Sequence, residues 1–158
     1  SRELDREVYN LGFSGNAKLD LEIAEYMASV KDPGVFVLDY APNCTADLID
    51  QKAEKFFRII REEHPDVPVI IVEPPYYPYK DFDRKVYEDF AQRIQAQRSL
   101  YKKLKKSGEK KLFYIKSDQL LNGNKDATVD GVHYTDLGSV IHAEAIVPVI
   151  RRALRMTK

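Results

Sequence analysis

Cysteine occurs once, at Cys44, so the chain can form no internal disulfide and no cysteine-rich zinc cage. Neither sign of charge is in excess, with Lys plus Arg and Asp plus Glu at 25 each. That balance gives no basic field to hold a phosphate backbone and disfavours nucleic-acid binding. No apolar run approaches the roughly 20 residues of a membrane-spanning helix. The N-terminus also lacks the basic-then-apolar pattern of a secretory signal, which leaves the compartment undetermined. Repeats, low-complexity tracts and linkers are absent, so residues 1–158 read as one domain long enough for a real core.

What is present is an alternation of apolar runs and amphipathic stretches. Ser1 to Val8 reads as the last turns of a helix, and Val8-Tyr9-Asn10-Leu11-Gly12 as a strand running into the loop Gly12–Asn16. Leu19, Ile23 and Met27 mark a helix to about Ser29. Val35–Leu38, Val67–Val72 and Leu112–Ile115 are continuous apolar runs, as buried parallel strands are. A helix carrying Leu48, Phe56, Ile59 and Ile60 inward is expected up to about Glu63. A longer one is expected from about Asp81 to Lys106, with Phe82, Val86, Phe90, Ile94, Tyr101 and Leu104 on one stripe. A last helix holds Val140 through Leu154. Such alternation predicts a parallel sheet covered on both faces, with ligands collecting beyond the carboxyl ends of its strands.

The loops at that edge carry the candidate chemistry. In Asp130-Gly-Val-His133 an Asp three residues before a His can fold back to fix the imidazole tautomer and raise the basicity of its other nitrogen. Thr135 or Asp136 can cap the following helix. Gly15, where a strand turns into a helix, offers an unshielded backbone N–H, and Asn43 after Pro42 a side-chain amide. Two such donors make an oxyanion hole, although a tight turn and an Asx-turn account for the same residue types. Tyr76 and Tyr77, in the Pro- and Tyr-rich loop after Glu73, could line a substrate pocket or pack over the strand ends. His64 and His142 lack carboxylates at ligand spacing, so no metal is expected. No loop carries a phosphate-cradling glycine run, which disfavours a nucleotide or flavin binder.

Gly12-Phe-Ser-Gly15-Asn16, Tyr40-Ala-Pro-Asn43 and Asp130-Gly-Val-His133 with Leu137-Gly138 resemble, in order and spacing, the later blocks of the SGNH (GDSL-like) hydrolase family. The resemblance implies a three-layer α/β/α sandwich of flavodoxin-like topology and hydrolysis of carboxyl esters, acetyl groups on sugars included, without a cofactor. It implies His133 as catalytic base, Asp130 as its orienting carboxylate, and Gly15 and Asn43 as oxyanion donors. A small-molecule or carbohydrate ester is then the expected partner.

The family's nucleophilic Ser belongs to a block after a first strand, and no such block precedes Ser1. Three explanations stand: the sequence is part of a longer protein, the block is truly lacking and the domain only binds a carbohydrate or other ligand, or another Ser serves. Ser14 is the substitute on the right edge, but Asn16 replaces the final Gly of a G-x-S-x-G elbow, and a hydroxyl bonding its own turn is the favoured reading of it.

Overall fold

The computed structural model describes residues 1–76, 82–121 and 123–156. Three strands, β1 (Phe36–Leu38), β2 (Val69–Val72) and β3 (Leu112–Ile115), form a parallel sheet in the order β1-β2-β3. Around it lie α1 (Leu21–Ala28), α2 (Ala46–Glu63), α3 (Arg84–Lys106) and α4 (Asp136–Leu154).

Period-two alternation sorts the strand side chains between two cores. Phe36, Leu38, Val69, Ile71 and Leu112 face α1, α2 and α3, whose Ala24, Ile49, Ala53, Phe57, Ile60 and Leu104 complete that layer. Ile70, Val72 and Ile115 face α4, with Ile146, Val149, Ile150 and Ala153 packed against them. Every residue of β2 is buried, as a central strand covered on both faces requires. The expected α/β/α layering is therefore what the described residues form.

Helix starts follow local capping chemistry. Thr45 accepts from the Leu48 N–H at 3.2 Å to start α2. Asp83 Oδ1 accepts from Lys85 and Val86 at 2.9 and 3.2 Å to start α3. That cap sets the α3 boundary after Phe82, which is 91 % exposed, so the expected place of Phe82 on the inner stripe is incorrect. The N-terminal helix is reduced to a 3₁₀ turn at Arg2–Leu4.

The expected strand at Val8–Gly12 does not form. Val8 and Tyr9 stand more than half exposed, and the Asn10 side chain takes the Gly12 N–H at 2.9 Å, a donor that a ladder would use. Phe36 N–H donates across to Pro68, so in a parallel ladder Phe36 and Leu38 bond towards β2 while Val37 turns its amide to the opposite edge. Among the described residues no strand occupies that edge.

One buried carboxylate joins the elements at the top of the sheet. Glu73, fully buried just past β2, accepts from Arg98 on α3 through Nε at 2.6 Å and a terminal nitrogen at 3.1 Å. It also accepts from the Tyr114 hydroxyl at 2.8 Å and the Ser117 N–H at 2.7 Å. Removing one partner of such a pair leaves buried polar groups unmatched, at a cost of roughly 3 kcal/mol. Glu73→Ala is therefore expected to lower the unfolding free energy by about that amount in urea titration, and Phe57→Ala by about 3–5 kcal/mol through its cavity. A Glu73→Ala loss under about 1 kcal/mol would show that the junction is not held by this carboxylate.

Candidate active site

The Asp130–His133 turn is built almost wholly from its own residues. Asp130 Oδ1 accepts from the backbone N–H of Val132 at 2.9 Å and of His133 at 2.8 Å. Its other oxygen lies 2.7 Å from His133 Nδ1. Gly131 supplies the positive φ of 87° that lets the chain double back. These bonds, the His133 backbone N–H first and its ring next, hold the Asp130 carboxyl well below the usual carboxylate range. With Nδ1–H donated to Asp130, Nε2 of His133 is left as the basic nitrogen, on a side chain 77 % exposed.

The chain on either side fixes this turn to α4. Val129 N–H donates to the His133 carbonyl at 2.9 Å, and Thr128 and Tyr134 form an antiparallel bridge. Thr135 accepts from Gly138 N–H at 3.0 Å as the α4 cap and donates its hydroxyl to the Asp126 carbonyl at 3.0 Å. Gly138 packs so closely on Ala127 that a Cβ there would overlap the Ala127 carbonyl oxygen. The Leu137-Gly138 pair thus has a steric reason.

Asn43 closes a 3₁₀ turn, Ala41–Asn43, just past β1. Its side-chain amide makes no hydrogen bond within the described fold, so the Asx-turn alternative is not realised. Arg93 of α3 donates to the Pro42 carbonyl at 3.1 Å and steadies this turn. Gly15, at φ 81°, and Ser14, at φ 33°, lie in an exposed turn closed by Asn16 N–H on the Phe13 carbonyl at 2.7 Å. Ser14 makes no hydrogen bond to that turn, contrary to the local role considered for it. A Cys44 Sγ contact with the Ala17 carbonyl at 3.9 Å joins the residue after Asn43 to the chain two residues beyond Gly15.

Tyr76 meets Phe90 edge-on, ring centroids 6.2 Å apart, in the wall of a cavity of about 750 Å³. Arg98, Lys102, Ser117 and Leu121 also line it. Tyr77 lies outside the described residues.

The sequence reading assigned no role to Asp39, His142 or His64. His142, on α4 and 14 % exposed, has Nδ1 3.1 Å from the Tyr134 hydroxyl and Nε2 3.9 Å from Asp39 Oδ2 at the end of β1. A carboxylate does face His142, then, from a residue distant in sequence. Loss of water pushes the His142 pKa down to about 4, so it is neutral near pH 7. The Asp39 side chain keeps an open rim, yet loss of water around its carboxyl pushes it up to about 6. His64 is structural, its Nε2 2.8 Å from the Ala28 carbonyl and its ring against Phe36. Among the described residues no three His, Cys, Asp or Glu side chains are placed to hold a metal ion, and no helix is long and apolar enough to cross a membrane.

The signs of the two shifts are opposite. His142 favours its neutral form in the fold, so its contribution to stability is full above about pH 6.5 and is lost as pH falls towards 4. Asp39 favours its protonated form, so its contribution is full below 3.8 and is lost as pH rises through about 6. NMR titration is expected to give a His142 midpoint near 4 and an Asp39 midpoint near 6. A His142 midpoint near 6.5 would mean that the ring is hydrated, contrary to its burial.

Comparison with known proteins gives the chain a family. The model of the GDSL-like lipase/acylhydrolase family matches residues 1–151. The crystal structure of a GDSL-like lipase from Bacteroides ovatus ATCC 8483 superposes with a TM-score of 0.86 at 34% identity, over 92% of this chain and 43% of that one. The salicylyl-acyltransferase SsfX3 from a tetracycline biosynthetic pathway shares the fold, with a TM-score of 0.66 at 18% identity over 88% of this chain and 42% of its own. The chain thus spans less than half the length of either structure. No curated protein matches it. With its layered sheet and its Asp130–His133 turn, the chain belongs to the GDSL-like lipase/acylhydrolase family.

Proposed function

We propose that this domain performs the base and oxyanion-binding half of a serine ester hydrolase whose nucleophile lies on a segment preceding Ser1. His133 Nε2 takes the proton of that Ser as its oxygen attacks the ester carbonyl. The Gly15 N–H and the Asn43 amide donate to the oxyanion of the tetrahedral intermediate. Collapse expels the alcohol, which takes the proton back from His133. Water, deprotonated by the same nitrogen, then attacks the acyl-enzyme, and collapse releases the acid as the Ser oxygen takes that proton back from His133. The observation that carries this reading is the 2.7 Å contact that occupies His133 Nδ1 and leaves Nε2 open. The unused Asn43 amide supports it. The substrate of this reading is a carboxylester or a carbohydrate acetate; Tyr76 and its sequence neighbour Tyr77 are candidate substrate contacts, in a cavity whose described wall includes none of Asp130, His133, Gly15 and Asn43.

A second reading has one observation in its favour. Among the described residues no serine or threonine hydroxyl bonds to His133, and this suits a carbohydrate- or ligand-binding remnant of the same fold. The test is hydrolysis of a small chromogenic acetate by the complete protein, by its His133→Ala variant and by this chain alone. The enzyme reading expects activity in the complete protein that falls by about 10³-fold or more in His133→Ala, and by at least about 10²-fold in Asp130→Asn. Unchanged activity in His133→Ala would remove His133 from the mechanism. An inert complete protein would favour the binding remnant. Activity in this chain alone, lost on Ser14→Ala, would make Ser14 the nucleophile.

A further inference from the structure

The Asp130–His133 turn holds itself together, but its internal bonds do not say where it stands over the sheet. Its four stabilising contacts, from Asp130 to Val132 and His133 and from Val129 to His133, all lie within the turn. Thr135 and Gly138 fasten it to the start of α4 and to the neighbouring chain at Asp126–Ala127. The residue next to the base reaches further. Tyr134 sets its ring 4.9 Å from that of His142 and its hydroxyl 3.1 Å from Nδ1. The opposite nitrogen of His142 is 3.9 Å from Asp39, which directly follows β1 and precedes the Asn43 turn.

We propose that His142 is a positioning residue, held between Tyr134 and Asp39, that sets the Asp130–His133 turn over the C-terminal end of β1. The proposal rests on the reading of His133 as a base only for its effect on turnover; the fastening itself stands on geometry. A neutral imidazole suits the place because its two nitrogens face opposite ways, one accepting and one donating. With hydrogen on Nε2, the ring points an N–H at the Asp39 carboxylate and accepts from the Tyr134 hydroxyl at Nδ1. An aliphatic side chain of similar size fills the volume and does neither. Because the oxyanion turn follows Asp39, one imidazole registers the base against the donors that must act with it, and misplacement by about 1 Å costs about 10²-fold in rate.

The experiment reads the turn directly. Amide hydrogen exchange at Val129 and Thr135, whose N–H groups bond the His133 and Ala127 carbonyls, is measured by NMR in this chain and its variants. His142→Leu and Tyr134→Phe are expected to exchange about tenfold faster at both amides, with Ile70 and Tyr114 unchanged. His142→Asn keeps an acceptor near the Nδ1 position at similar helix propensity and should stay within about threefold of the parent. In the complete protein, His142→Leu should lower kcat about tenfold and leave KM unchanged. Unchanged exchange in His142→Leu and Tyr134→Phe, equal effects of Leu and Asn, or a change in KM alone would each overturn the proposal. Should His142→Leu fail to fold, Tyr134→Phe removes one oxygen and decides the matter alone. If the complete protein proves inert, the ester hydrolase reading fails, while the exchange rates still judge the fastening.

Discussion

The top of this fold depends on satisfying a single buried charge. Glu73 follows an apolar run with no polar side chain to share its load, so its two oxygens must be met by other elements. Arg98 comes from α3, Tyr114 from β3, and Ser117 from the chain after β3. Gln97, next to Arg98, donates to the Val72 carbonyl at 2.8 Å and adds a second tie between α3 and the end of β2. Those four contacts define where α3 leaves the sheet and where the loop towards Asp130 begins. They also shape the cavity, since Arg98 and Ser117 stand in both the ion-pair junction and its wall.

Local chemistry decided what could be read in advance. Asp130-Gly-Val-His133 was legible because its bonds span at most three residues and the glycine supplies the one backbone conformation they need. The start of α2 rests on a bond of the same short reach, from the Leu48 N–H to Thr45. The three strand runs were legible because a strand covered on both faces has no polar face to show. Glu73, Asp39 and His142 were not. Their partners lie far along the chain, and nothing in a lone Glu after a strand, or a lone His in a helix, names the residue that will face it.

The misread elements share a cause. Val8–Gly12 has strand-like residues, but a strand exists only as a pairing, and Asn10 bonding to Gly12 offers the backbone a local alternative. Phe82 fits the apolar stripe of α3, but the Asp83 cap lies one residue beyond it, and capping prevailed over periodicity. In both places a short-range side-chain bond competed with a pattern that needed tertiary support. Ser14 shows the reverse. Its expected bond to the turn is absent because a positive φ and the Asn16 N–H on the Phe13 carbonyl already close the loop.

The candidate site therefore divides into a part that assembles itself and a part that must be placed. The Asp130–His133 pair needs four residues of chain; its placement beside the Asn43 turn involves α4, β1 and the two side chains between them. The ionisation of those side chains favours alignment in a definite window. Below about pH 6 Asp39 is largely protonated and meets a neutral imidazole, a weak contact at 3.9 Å. Above that value it becomes a carboxylate facing an N–H of His142, which stays neutral because its own pKa lies near 4. At 3.9 Å this is an ion–dipole attraction rather than a hydrogen bond, stronger than the contact of two neutral groups. Asp39 and His142, 103 positions apart in sequence, thus meet beside a turn that neither of them belongs to.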